Sequence, residues 1–169
     1  MARNAAASAY SPGALALLGS IGIILAALAF EHLGGFRPCE LCLAQRWAYY
    51  AGIPLLFVGL VLLSGGFPRA ASLVFLLVAL AVLANAGLAA YQAGAEWKFW
   101  PGPTSCTGPQ DITGSAGSLL KDLAKTTVIR CDEPQIRIAG LSFAGWNVLI
   151  SLALSALCLS ATARSGTEG

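Results

Sequence analysis

Charged residues are scarce in this 169-residue chain: they make up 11% of it, and ten basic side chains nearly balance eight acidic ones. A soluble domain usually carries about 25% charged residues, so the chain lacks the polar surface of a soluble protein. Intrinsic disorder is excluded too, because disordered chains are poor in apolar residues, which form 57% here. Nor is there a basic patch for nucleic acid. The sequence therefore predicts a single membrane domain.

Long stretches without any charge show where the chain can cross a bilayer. Four of them exceed the roughly 20 residues that a membrane-spanning helix needs. They hold 27, 22, 26 and 26 residues and lie in the intervals Arg3–Glu31, Arg46–Arg69, Arg69–Glu96 and Arg137–Arg164. Their unbroken apolarity lacks the two-residue alternation of a barrel strand. We predict an all-α bundle of four transmembrane helices near residues 13–30, 47–63, 70–91 and 141–159, as one domain over residues 1–169.

Two large loops, residues 31–46 and 92–140, share one face of this predicted bundle, and both termini lie on the other. Counting Lys and Arg gives seven on the loop face and three on the opposite face, which would put the loops in the cytoplasm. Cysteine placement argues the reverse, since Cys39, Cys42, Cys106 and Cys131 all fall in these loops. Paired cysteines on one face are typical of an oxidising compartment. We therefore expect a bacterial inner-membrane protein with periplasmic loops and cytoplasmic termini.

The cysteines allow three interpretations. A zinc site would need a second closely spaced ligand pair, but Cys106 and Cys131 are 25 positions apart and His32 is the only histidine. Two structural disulfides would explain the distant pair, because closing such a loop stabilises a protein by about 3 kcal/mol. A disulfide between Cys39 and Cys42 would close a loop of only a few residues, so it would stabilise the folded protein very little. Reactivity is the better explanation for that pair.

Position strengthens the case for a reactive pair. Cys39 and Cys42 precede the second span, where the unpaired N–H groups of a helix start favour a thiolate. Arg46 follows Cys42 by four residues, hence on the same helical face, where its charge can favour the thiolate or hold a ligand oxygen. Arginines at span ends also commonly reach lipid headgroups. With two thiols beside it, we expect Arg46 to meet an oxidant with carbonyl oxygens, such as a lipid-soluble quinone.

These residues together carry a family resemblance. The chain resembles the bacterial disulfide bond formation protein B family, DsbB, over essentially its whole length. The similarity rests on four spans, a Pro-Cys-x-x-Cys in the first loop at Pro38–Cys42, the following Gln45-Arg46, and the distant pair Cys106 and Cys131. The resemblance implies a quinone-linked protein-dithiol oxidoreductase that generates disulfides.

The resemblance also implies roles for individual residues. A reduced DsbA-like periplasmic oxidase would attack the Cys106/Cys131 disulfide and form a mixed disulfide with Cys106. Cys131 would then attack Cys39, and the Cys42 thiolate would donate to ubiquinone or menaquinone while Arg46 steadies the developing negative oxygen. Cys39, Cys42, Cys106 and Cys131 are thus the expected catalytic residues, Arg46 and Cys42 the expected quinone contacts, and no metal is expected.

One departure limits this transfer of roles. Some DsbB family members carry a histidine near the start of the second loop, where this chain has Tyr91-Gln92-Ala93. The resemblance therefore carries neither a proton route nor a quinone contact over to that position. Two alternatives remain: a vitamin K epoxide reductase-like protein, in which the active Cys-x-x-Cys belongs to a later span, and a membrane scaffold whose disulfides are purely structural.

Overall fold

A computed structural model of the protein describes residues 2–102, 131–134 and 136–166. This part of the chain contains four long helices: α1 (Ala2–His32), α2 (Glu40–Ser64), α3 (Pro68–Glu96) and α4 (Phe143–Gly166). Each of them is long and apolar enough to cross a membrane. The predicted fold class, an all-α bundle of four membrane-spanning helices, is confirmed.

The helices extend beyond the apolar intervals in the sequence. Residues 40–46 and 92–96 fall in the predicted loops, but they belong to α2 and α3. A charge-free stretch predicts only the part of a helix that can lie in the hydrocarbon core of the membrane. The helix itself continues until its backbone hydrogen-bond pattern ends. In α3 the break comes just after Glu96, where Lys98 adopts a positive φ of 62°. The extra turns carry polar side chains of the site described below.

The four helices form a closed ring in which α1 packs against α2 and α4, and α3 packs against the same two. Phe75 lies at its centre with no exposed surface. Glycines allow the neighbouring helices to approach it: a methyl group at Gly59 would lie 2.8 Å from Phe75 Cε1, and one at Gly13 would lie 3.1 Å from Phe75 Cζ. Small residues thus bring α1 and α2 close to α3, as is common where helices pack in lipid.

A short hairpin precedes α4. Strand β1 (Arg137–Ile138) pairs antiparallel with β2 (Leu141–Ser142), and the two residues between them, Ala139 and Gly140, both have positive φ, as a tight two-residue hairpin turn requires. The Ser142 hydroxyl accepts a hydrogen bond from the backbone N–H of Gly145 at 3.2 Å and so caps the start of α4. This hairpin helps to cover the end of the bundle that holds the cysteines.

Candidate redox site

The Cys39–Cys42 pair lies at the start of α2 and forms a disulfide. Cys39 is the N-cap residue of that helix, and its Sγ accepts a hydrogen bond from the backbone N–H of Cys42 at 3.2 Å. A sulfur at the N-cap thus takes the place that an oxygen usually fills. Cys39 is only 5% exposed, and Cys42 is half-buried. Both cysteine side chains are therefore at least partly covered by protein.

Cys131 packs against this disulfide from the other large loop. It is 2% exposed and forms a small buried cluster with Cys39, flanked by the partly buried Leu41 and Cys42. Thiol–disulfide exchange requires direct approach of one sulfur to another, and this packing brings the two loops together at the required place. Cys106, the fourth loop cysteine, lies outside the described residues. Cys158 is buried at 1% exposure in the main core of the bundle, and its thiol is free.

Arg46 makes an ion pair inside the protein. Its Nη1 donates to Glu31 Oε2 at 2.5 Å, which joins α2 to the C-terminal end of α1. The two side chains are 13% and 27% exposed. A charged group at this depth is costly unless it is paired, and Glu31 supplies the partner. The ion pair with Glu31 therefore accounts for the position of Arg46 between α1 and α2.

A cavity of about 390 Å³ opens beside the disulfide. Cys39, Cys42 and Arg46 line it, and most of its remaining wall is apolar. The apolar residues come from α1, the segment between α1 and α2, the segment before α4, and α4: Ile23, Ile24, Ala27, Phe30, Phe36, Pro134, Ile136, Phe143 and Ile150. Three of these form an aromatic cluster, with ring centroids 5.1 Å apart for Phe30 and Phe143 and 6.2 Å apart for the other two pairs. Pockets of this size and character accept small, largely apolar ligands.

Gln92 is a site residue that falls in a predicted loop and has no predicted role. It belongs to α3, is 4% exposed, and places its Nε2 3.5 Å from Cys39 Sγ and 3.4 Å from Cys42 Sγ. A signal was available: Asn85, Gln92 and Glu96 recur at i, i+7 and i+11 along an apolar span, which puts three polar side chains on one helical face.

A connected group of polar side chains continues from Gln92 into the bundle. Gln45 Nε2 donates to Gln92 Oε1 at 2.7 Å, and Asn147 Nδ2 donates to Gln45 Oε1 at 2.6 Å. Tyr49 Oη then donates to Asn147 Oδ1 at 2.5 Å. Because members of this network come from α2, α3 and α4, it also holds those helices in register.

Glu96 lies at the C-terminal end of the same face of α3. It is 7% exposed, lines the cavity, and its Oε1 accepts from Gln92 Nε2 at 3.4 Å. Its Oε2 has no hydrogen-bond partner in the described ranges 2–102, 131–134 and 136–166. From the hairpin, the Ser142 side chain hydrogen-bonds to this carboxyl group, and the positive charge of Arg137 interacts with it electrostatically. In the same ranges, no three His, Cys, Asp or Glu side chains are grouped so that they could hold a metal ion.

Comparison with known proteins agrees with this arrangement. Residues 11–161 match the family model described as "Disulfide bond formation protein DsbB". A protein of Verminephrobacter eiseniae named "Disulfide bond formation protein B" is 28% identical over 162 residues, which cover 92% of this chain and 86% of the relative. No solved structure matches the chain significantly. The family model spans most of the chain, with α2, α3, most of α1 and α4, and the cysteine pair at the start of α2, and the chain therefore belongs to the DsbB family of membrane disulfide bond formation proteins.

Proposed function

We propose that the protein is a protein-dithiol:quinone oxidoreductase, which reoxidises a periplasmic thioredoxin-like oxidase of the DsbA type and passes the electrons to membrane quinone. One observation carries the proposal: Cys39 is in the disulfide, packs against Cys131, and lines the apolar cavity. A disulfide in this position can receive electrons from a neighbouring thiol and lose them to a ligand in the cavity.

The thiol side of the reaction begins at the long loop. A thiolate of the partner would attack the Cys106/Cys131 disulfide, bond to Cys106 and release the Cys131 thiolate. Cys131 would then attack Cys39, so that one S–S bond forms as another breaks and the electron pair is left on Cys42. The buried contact between Cys131 and Cys39 supports this order, because Cys131 meets the sulfur that it must attack.

The quinone side uses the cavity. A quinone has a flat, largely apolar ring with two carbonyl oxygens, and the cavity offers apolar walls together with the Arg46 guanidinium. When bound, the quinone would accept two electrons and two protons. The guanidinium has five N–H donors, so Arg46 can keep its bond to Glu31 and still donate to a ligand oxygen. Cys42 lies one helical turn from Arg46 and lines the same cavity.

The expected partner explains why a quinone is needed. DsbA is a strong oxidant, and each 30 mV of uphill two-electron transfer costs about 1.4 kcal/mol. Glutathione is too reducing to regenerate it, whereas a membrane quinone that is reoxidised by respiration can. The apolar cavity suits such a lipid-soluble acceptor.

The proposed location is the bacterial inner membrane, with both termini in the cytoplasm and the cysteines at the periplasmic end. The support is the closed Cys39–Cys42 disulfide, which is expected in an oxidising compartment. A membrane-impermeant maleimide, added to intact spheroplasts after brief reduction, should label Cys39 or Cys42. Labelling that required the membrane to be opened would refute this orientation.

The central experiment mixes the detergent-solubilised protein with a reduced DsbA-type oxidase and a quinone, and follows quinone absorbance. Cys42→Ser should abolish quinone reduction and still allow a mixed disulfide between the partner and Cys106. Cys158→Ser is the matched control and should keep the full rate, because its thiol is buried in the bundle core. Undiminished turnover in Cys42→Ser would remove Cys42 from the mechanism.

A further inference from the structure

We infer that Gln92 sets the redox equilibrium of the Cys39–Cys42 pair by donating its side-chain N–H groups to the two sulfurs, and that Gln45 and Asn147 hold its amide in the orientation that this requires. The inference deepens the proposed function, since it rests on that pair being the redox centre. It assigns a task to buried amides that the electron relay itself does not use.

The contacts place a donor between the two sulfurs. Gln92 Nε2 lies 3.5 Å from Cys39 Sγ and 3.4 Å from Cys42 Sγ, within the range of hydrogen bonds to sulfur. Gln92 is 4% exposed, so water does not compete freely for its N–H groups. A buried amide in this position acts on the sulfurs in both redox states.

Neighbouring residues fix which end of the amide faces the sulfurs. Tyr49 donates to Asn147 Oδ1, which leaves Asn147 Nδ2 to donate to Gln45 Oε1. Gln45 must then present its Nε2 to Gln92, whose Oε1 accepts at 2.7 Å. The Gln92 Nε2 is left to point at the disulfide. Every bond in this chain runs in one direction because an amide oxygen only accepts and an amide nitrogen only donates.

The chemical consequence follows from the difference between a disulfide and a thiolate. Reduction breaks the S–S bond, adds two electrons from the reductant, and leaves two thiolates, each of which binds a proton or remains charged. A disulfide sulfur is a weak hydrogen-bond acceptor, whereas an ionised sulfur makes the stronger, charge-assisted kind. The Gln92 donor therefore stabilises the reduced pair more than the oxidised pair. It makes the disulfide a stronger oxidant, as reoxidation of a DsbA-type partner demands.

Glu96 moderates this effect. Its Oε1 is a third acceptor for Gln92 Nε2, at 3.4 Å, so two amide hydrogens serve three acceptors. When one sulfur becomes a thiolate, it competes better for those hydrogens than a neutral sulfur does. The redistribution requires no movement of a helix, because all three acceptors already lie around the same nitrogen.

The test is a redox titration of the purified protein against glutathione buffers, without quinone or partner protein. Cys39 and Cys42 are alkylated differentially and quantified separately by mass spectrometry. Gln92→Leu should shift the equilibrium about tenfold towards the disulfide, since the thiolate loses a charge-assisted hydrogen bond that the disulfide makes only weakly. A tenfold shift corresponds to about 30 mV for a two-electron couple. An unchanged midpoint in a folded Gln92→Leu protein would overturn the inference.

A second variant tests the orientation without changing shape and decides the matter if Gln92→Leu does not fold. In Asn147→Asp the side chain can no longer donate to Gln45, so Gln45 and then Gln92 turn over and the Gln92 carbonyl faces the sulfurs. The shift should again favour the disulfide. Asn85→Asp is the matched control, because it adds the same group at the far end of the network, where Asn85 donates to Ser151. Equal shifts in the two variants would overturn the inference.

The titration separates this inference from the proposed function. If the wild-type pair titrates and the Gln92 and Asn147 variants shift it, but the reduced protein fails to reduce quinone, the proposed function fails and the inference stands. If quinone turnover is normal and neither variant moves the midpoint, the inference fails alone.

Discussion

Cys131 packs against Cys39 in a buried two-cysteine cluster, although the two residues belong to different loops of the chain. Cys39 is at the same time the N-cap of α2. Cys39, which caps the N-terminus of α2, is therefore the cysteine of the pair that the second loop contacts. In the proposed relay, electrons therefore enter the Cys39–Cys42 pair at Cys39. Cys42 is the cysteine of the pair that lies nearer to Arg46 along α2.

This contact predicts the behaviour of Cys131→Ser. Without Cys131, Cys106 has no disulfide partner, so a reduced partner finds no disulfide to attack in the long loop, and no Cys131 thiolate is produced to attack Cys39. No mixed disulfide between the reduced partner and Cys106 should appear on non-reducing gels, and Cys39 and Cys42 should stay oxidised in the presence of reduced partner. Cys158→Ser, which removes a buried thiol of the core, should show neither effect. Rapid reduction of Cys39–Cys42 in Cys131→Ser would mean that the partner reaches that pair directly.

The ion pair between Arg46 and Glu31 allows stability and ligand binding to be separated. Arg46→Ala should raise the apparent KM for quinone at least tenfold and also lower stability, because Glu31 is left half-buried without its partner, and breaking such a pair costs up to about 3–5 kcal/mol. Adding Glu31→Gln should recover stability in a detergent unfolding titration and leave the KM high. A double variant with normal KM would reduce Arg46 to a structural role.

Close packing around Phe75 predicts a stability effect far from the site. Gly59→Ala places a methyl group 2.8 Å from the Phe75 ring, and overpacking of this kind costs about 1–3 kcal/mol. Unfolding with increasing fractions of denaturing detergent, followed by circular dichroism, measures the loss. Gly87→Ala is the control, since nothing lies within 4 Å of the added methyl, and it should match the wild type or exceed it slightly.

The sequence predicts the four spans well because each charge-free interval must satisfy its own backbone in lipid. It also singles out Cys39, Cys42 and Arg46, whose chemistry depends on spacing within one helix. It does not reveal the pairing of Arg46 with Glu31, or the position of Gln92 between the sulfurs, because both depend on how α1 and α3 rotate against α2. That rotation is set by small residues such as Gly59 against Phe75, and no local pattern encodes it.

Filling the cavity should separate the two halves of the reaction. Ala27 of α1 lines the cavity, and Ala27→Phe would place an aromatic ring where the quinone is expected. Quinone reduction should fall at least tenfold, because a close-packed wall leaves little room for the ligand. Reduction of Cys39–Cys42 by the DsbA-type partner should stay normal, since Cys131 contacts Cys39 away from the α1 wall of the cavity.

Leu25→Phe provides the control for Ala27→Phe. Leu25 is 60% exposed on α1, does not line the cavity, and should tolerate the change. Stopped-flow measurement of thiol exchange beside steady-state quinone turnover distinguishes the two rates, and equal turnover in Ala27→Phe and Leu25→Phe would place the quinone elsewhere.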